Sequence, residues 1–168
     1  MIDIINFKGE RFDLGFSRVY NINDFNAVEA RDEEKNKKIL CDRKVDFIYN
    51  LEDNEKRDKF NSRSSGLNQV LCKLARDNEI AVGFNFNLAL NSEDIKKRNL
   101  IVGRMIQNVR LCRKFKVKMV LFSCAKDKYE MRAAKDLAAF GRAVGMTGSE
   151  VNSSLNFRRK ERLIEEVS

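Results

Sequence analysis

Short apolar runs that alternate with helical segments limit this chain's fold more than any other feature. Ile2–Phe7, Phe16–Ile22, Ala27–Ala30, Val45–Tyr49, Ile80–Phe86 and Val117–Phe122 read as strands, rich in β-branched and aromatic residues. Helices are expected over Arg31–Arg43 and Leu67–Arg76, in a long segment opening at Ser92, and over Glu130–Val144, where Gly145 can end the last one. A charged loop, Leu51–Ser65, has room for one helical turn and is a candidate for mobility. A short helix from Ser149 and a charged tail from Arg158 close the chain. Strands joined through helices pair in parallel, and a parallel sheet needs cover on both faces. The strands are indeed continuous apolar runs rather than clean alternations. An open doubly wound sheet and a (β/α) barrel both meet these conditions. A complete eight-stranded barrel usually takes about 200 residues or more. With 168 residues and five or six strands, the chain allows an open sheet or an incomplete barrel. No repeat, linker or boundary divides it, so one domain over residues 1–168 is expected.

The stretch from Ser92 to Ala125 organises the rest. Ser92 reads as a helix cap, with Glu93 and Asp94 in the first turn. Ile95, Val102, Met105, Ile106, Val109 and Cys112 recur at the spacing of one buried helix face. Lys96, Lys97, Arg104, Arg110 and Lys114 lie roughly opposite. From Ile95 through Lys126 there are ten Lys or Arg residues and no Asp or Glu. The whole chain carries +8, so everything outside this segment sums to −2. Basicity is local. Solvated helices normally interleave Glu with Lys, and the absence of counter-charge here points to phosphate contact rather than a merely solvated face.

Other chemistry is limited by what the chain lacks. It has no His, hence no imidazole base and no His-ligated metal. Its cysteines, at 41, 72, 112 and 124, form no CxxC and read as reduced packing thiols. Gly141, Gly145 and Gly148 are not followed by the Gly-Lys-Ser/Thr of a P-loop. No apolar run approaches the ~18–20 residues of a membrane span, and no signal-peptide pattern opens the chain. A cytoplasmic protein without a membrane partner is the expectation.

Several single residues admit two readings. Phe115, between Lys114 and Lys116, is placed to stack on a base or to pack before a strand. Ser123 follows a strand at the end where α/β folds hold ligands, and either binds phosphate or backbone, or caps the next turn. Asn85 and Asn87 pose the same choice. Asp46, at a strand start, reads as a loop carboxylate rather than a metal ligand.

A family resemblance runs through these segments. Ser64-Ser65-Gly66-Leu67-Asn68-Gln69-Val70-Leu71, Leu74-Ala75-Arg76-Asp77-Asn78 and Ile80-Ala81-Val82-Gly83-Phe84-Asn85-Phe86 carry it first. Arg98, Arg104, Gln107-Asn108-Val109-Arg110-Leu111-Cys112-Arg113-Lys114-Phe115-Lys116, Leu121-Phe122-Ser123-Cys124-Ala125, Arg132, Asp136-Leu137 and Gly145-Met146 continue it. Over roughly residues 45–147 the chain resembles ribonuclease P protein component 3, the archaeal relative of the eukaryotic thirty-kilodalton subunit. The resemblance implies a TIM-barrel-like (β/α) fold related to the PHP metal-dependent phosphoesterases, here incomplete or compacted. It also implies a subunit of the ribonucleoprotein that removes the 5′ leader from precursor tRNA. In that family the RNA carries the chemistry, with Mg²⁺, and the protein supports the catalytic RNA while pairing with component 2 and other subunits.

On this reading the isolated chain is inactive and binds no cofactor of its own. Its expected RNA contacts are Lys96, Lys97, Arg98, Arg104, Arg110, Arg113, Lys114, Lys116, Lys118, Ser123 and Arg132. The alternative is a metal-dependent phosphoesterase working through carboxylates at the barrel mouth. The lack of His disfavours it, and no carboxylate pair is spaced persuasively for Mg²⁺. A weaker third option is a protein–protein adaptor with an incidental positive surface.

Overall fold

A computed structural model describes residues 1–54, 57–58, 60 and 63–159. Six strands and six α-helices lie along the described residues, the first three strands running in succession. They are β1 (Ile2–Ile5), β2 (Arg18–Asn21), β3 (Ala27–Glu29), α1 (Glu33–Cys41), β4 (Phe47–Tyr49), α2 (Gln69–Asp77), β5 (Ala81–Asn85), α3 (Phe86–Leu90), α4 (Ile95–Phe115), β6 (Met119–Phe122), α5 (Ala134–Ala143) and α6 (Gly148–Ser154). Strands β3-β4-β5-β6 form one parallel sheet, with Phe47 opposite Ala81 and Gly83 opposite Val120. A second parallel pair joins β1 to β2. The two meet just beyond β6, where Cys124 N donates to Ile4 O at 2.9 Å and Asn6 N donates to Ala125 O at 2.7 Å. The order across the molecule is therefore β2-β1-β6-β5-β4-β3. No ladder joins β2 to β3 among the described residues. This is an incomplete TIM-like barrel, as expected.

Side chains alternate strictly along the central strands. Phe47, Ala81, Val120 and Phe122 point inward, with Ile4, Ile22, Phe25 and Cys124. Ile48, Val82, Phe84 and Leu121 point outward beneath the helices. Both faces are apolar, which is why the strand segments read as unbroken runs. Phe47 is the inner hub, its ring 5.4 Å from Phe122, 5.8 Å from Phe25, 5.9 Å from Phe157 and 6.0 Å from Tyr49 between centroids. Such a ring stabilises by about 2–3 kcal/mol through area alone. Gly83 makes this packing possible: a β-carbon there would stand 2.8 Å from Tyr49 Cβ and 3.0 Å from Phe122 Cε1. The interior is a packed aromatic core.

Several elements differ from the sequence expectation. Helix α5 starts at Ala134 rather than Glu130, because Glu130 is used as an acceptor, taking Lys126 N at 2.8 Å and Asn91 Nδ2 at 2.9 Å. Helix α3 was not expected; Asn85 caps it by accepting from Leu88 N. The cap of α4 is Asp94, not Ser92. In the Leu51–Ser65 loop, residues 55–56, 59 and 61–62 lie outside the described residues, as does the tail from 160 onward, so the expected mobility and tail are not described. No helix among the described residues is long and apolar enough to cross a membrane.

Candidate nucleic-acid interface

Helix α4 supplies most of the expected basic residues. Asp94 accepts from Lys97 N at 2.7 Å to start it, and Lys116, in the left-handed region at φ 58°, ends it. Its buried stripe is Ile101, Arg104, Met105, Asn108, Val109 and Cys112. Opposite stand Lys96, Arg110 and Lys114, all exposed and within about 40° of one another around the helix axis at 100° per residue. They span about 27 Å along the axis. None has an acidic partner among the described residues; the Lys114 ammonium lies 5.6 Å from the Phe115 ring. This line of cations is the core of the candidate interface.

The sequence missed a fourth cation on the same line. Gln107 accepts from Arg63 N at 3.1 Å and donates to Arg63 O at 2.8 Å, clamping that backbone against α4. The Arg63 guanidinium then covers Gly103, where an added β-carbon would meet its Cζ and Nη1 at 2.5 Å. Gly103 lies between Lys96 and Arg110 in azimuth and in height, so Arg63 fills the gap between them. Its charge is shared with Asp58, 3.3 Å away. The only local hint was a glycine in mid-helix, which usually needs a packing reason.

Arg104 requires a correction. It is 1% exposed and belongs to the buried stripe, not opposite it. Its Nε donates to Asp58 Oδ1 at 3.1 Å, and its Nη1 to Glu52 O at 2.8 Å and Asn54 O at 3.0 Å. Arg104 ties the 51–58 segment to α4 and is not accessible to RNA. Ser123 is corrected likewise as an RNA contact: it is fully buried, donating through N and Oγ to the two carboxylate oxygens of Asp3 at 2.8 and 2.7 Å, while its Oγ accepts from Ala125 N at 3.2 Å, the expected cap of the next turn. Burial holds the Asp3 carboxyl above its usual range. Ile95 is 63% exposed, ahead of the apolar stripe rather than in it. Phe115 is half-buried against the outer core.

Of the remaining expected contacts, all but Lys116 have partners among the described residues. Lys97 lies 3.7 Å from Asp53 and 4.0 Å from Glu93. Arg98 donates to Ala89 O and Leu90 O, closing the end of α3. Arg113 grips Glu150 at 2.7 and 2.6 Å, joining α4 to α6 and holding that carboxyl down at about 2. Lys118 sits 3.7 Å from Glu79. Arg132 donates to the carbonyls of Tyr129 and Met131. Lys116 is exposed at the helix end. Much of the counter-charge absent from the local sequence is thus supplied from elsewhere in the chain.

At the carboxyl ends of the strands lies a cleft of about 370 Å³ whose lining includes the amides Asn6, Asn50, Asn85, Asn87 and Asn91, the carboxylates Glu29, Asp53 and Glu93, and Lys97 and Lys126. Asn85 Nδ2 donates to Asn50 Oδ1 at 3.0 Å, and Asn50 Nδ2 to Glu29 Oε1 at 2.7 Å. Cys124 also lines it, in the left-handed region at φ 51°; burial pushes its thiol up to about 11, which keeps it protonated near neutral pH. No group of three or more His, Cys, Asp or Glu among the described residues is placed to hold a metal. With no His in the chain and its carboxylates not gathered around one point, this cleft does not fit the metal centre that a PHP-type phosphoesterase would need.

Residues 7–162 match the family described as RNase P subunit p30, and the chain belongs to that family. It is 34% identical over 94 residues to ribonuclease P protein component 3 of Methanosarcina mazei, covering 56% of this chain and 39% of that one. The Methanococcus maripaludis component 3 is 30% identical over 117 residues, covering 70% and 47%. That of Thermococcus kodakarensis is 29% identical over 98 residues, covering 58% and 44%. The matches thus span less than half the length of these curated relatives. A chain in a cryo-electron microscopy structure of archaeal ribonuclease P with mature tRNA shares the fold, with a TM-score of 0.74 at 18% identity over the full length of both.

Proposed function

We propose that this chain is a non-catalytic, RNA-binding subunit of a ribonuclease P ribonucleoprotein. The observation that carries the proposal is the line of Lys96, Arg110 and Lys114 along α4, extended by Arg63, on a body of the p30 family. Cations held along a rigid helix neutralise phosphates, and the release of counterions drives association. The chemistry belongs to the RNA and its Mg²⁺; the protein holds a folded RNA in shape where ions alone would be needed at higher concentration. Component 2 is its proposed direct partner, and precursor tRNA reaches it through the complex. The test is reconstitution of leader cleavage with the cognate RNA and the other subunits across a Mg²⁺ series. Adding this chain should raise cleavage at moderate Mg²⁺, while the RNA-free chain should cleave nothing. Equal activity with and without it at every Mg²⁺ level, or cleavage by the RNA-free chain, would defeat the proposal.

A further inference from the structure

On the RNA-binding reading above, we infer that Phe12 and Tyr129 form a stacking platform for unpaired nucleotides of the bound RNA. The two rings come from loops far apart in sequence, one following β1 and the other following β6. Adjacency of those strands brings the loops together, and Ala134 N donating to Leu14 O at 3.0 Å fixes one on the other. The ring centroids are 6.1 Å apart at an interplanar angle of 64°. Tyr129 is 74% exposed and Phe12 44%. Large apolar rings left in solvent contribute little to this fold, and here two of them are held beside each other.

The loop around Tyr129 is built to keep its ring outside. Asp127 Oδ1 accepts from Tyr129 N at 2.7 Å and from Glu130 N at 3.1 Å, and Arg132 donates to Tyr129 O at 2.9 Å. Nearby acids are occupied by similar work. Glu130 accepts from Lys126 N, Asp13 accepts from Gly15 N, and Glu10 lies 3.5 Å from the Lys128 ammonium. That ammonium sits 5.7 Å from the Phe12 centroid and 5.5 Å from the Tyr129 centroid. Exposed Lys8, Arg11 and Lys126 stand on the same two loops.

This chemistry selects the partner. Exposed Phe and Tyr suit a protein interface as well as a base, but lysine is depleted from protein interfaces, and it is the Lys128 ammonium shared by both rings that favours a nucleotide. Unpaired nucleotides need both parts: a π-surface for the base and cations for the backbone. Stacking of this kind tolerates any base, because every base has a π-face.

The test uses the full chain and a stem-loop RNA with 2-aminopurine in its unpaired loop. Binding of the unaltered protein should quench the 2-aminopurine fluorescence. Tyr129→Ala and Phe12→Ala should each weaken binding roughly five- to hundredfold and reduce the quench, leaving the salt dependence of affinity unchanged. Tyr129→Phe should behave as the unaltered protein, while Tyr129→Leu, which keeps the bulk without the π-face, should behave as the alanine variant. Alanine and leucine variants that bind and quench normally would overturn the stacking role alone. So would an equal loss of affinity for fully paired RNA, or a loss confined to another protein subunit. An unaltered protein that binds no RNA at all would overturn the RNA-binding reading as well.

Discussion

The side-chain amide of Asn108 donates to Glu52 Oε1 at 2.7 Å, in a place that solvent does not reach. Glu52 Oε2 and Asn108 Oδ1 have no hydrogen-bond partner among the described residues. Two bare acceptors call for a proton. Burial pushes the Glu52 carboxyl up to about 7, against the hydrogen bond from Asn108 and the nearby Arg104 charge, which both pull it down.

A pH dependence follows from that raised value. Between about pH 4.5 and 7 the folded protein holds a proton that the unfolded chain releases, so stability falls as pH rises through this window and levels off above it. The fall amounts to at most about 3 kcal/mol. Glu52→Gln, neutral at every pH, should flatten most of the slope and be more stable than the unaltered protein at pH 7.5. Asp3, also raised by burial, adds a slope of the same sign. Urea denaturation at pH 5.0 and 7.5 on both proteins measures this; an unchanged slope in the Gln variant would assign the dependence elsewhere.

Arg104→Ala should damage the fold rather than the interface. It removes the donor to Glu52 O and Asn54 O beneath α4, while Asp58 keeps Arg63, and taking the partner from a buried polar group costs about 1–3 kcal/mol. Lys96→Ala, Arg110→Ala and Lys114→Ala should stay within about 0.5 kcal/mol of the unaltered protein, as exposed substitutions do. Thermal unfolding distinguishes the two groups.

Gly103→Ala should separate stability from binding. Alanine favours a helix interior by about 0.5–1 kcal/mol over glycine, but its β-carbon would displace the Arg63 guanidinium. That group is the far end of a flexible side chain, so it can move. The variant should melt at or above the unaltered temperature and bind RNA less tightly, and Arg63→Ala should reproduce the binding loss. A Gly103→Ala protein that binds normally would take Arg63 out of the interface.

Local patterns exposed the strands and α4 because apolar runs and helical periodicity are properties of neighbouring residues. The basic segment was equally plain. What stayed hidden depends on partners distant in sequence. Arg104 stands on the flank of the buried stripe, beside Met105 and Asn108, and reads as polar surface until Asp58, 46 residues away, is placed against it. Ser123 reads as open to phosphate until Asp3, 120 residues away, accepts hydrogen bonds from its backbone N–H and its hydroxyl. Arg63 and the Phe12–Tyr129 pair depend on how two loops lie against the barrel, which no spacing encodes. Helix α3 was missed for another reason: Phe86–Leu90 is too short to show a period.

Salt dependence of RNA affinity is the most direct test of whether the exposed line of α4 binds phosphate. Affinity for structured RNA is measured for the unaltered chain and for the combined Lys96→Ala, Arg110→Ala, Lys114→Ala variant over a series of salt concentrations. If each of the three neutralises one phosphate, the slope of log affinity against log salt should become shallower by about 2–3 in the variant, at roughly 0.7–0.9 per contact, with its melting temperature unchanged. A folded triple variant with unaltered affinity and slope would show that this face of the helix is only solvated.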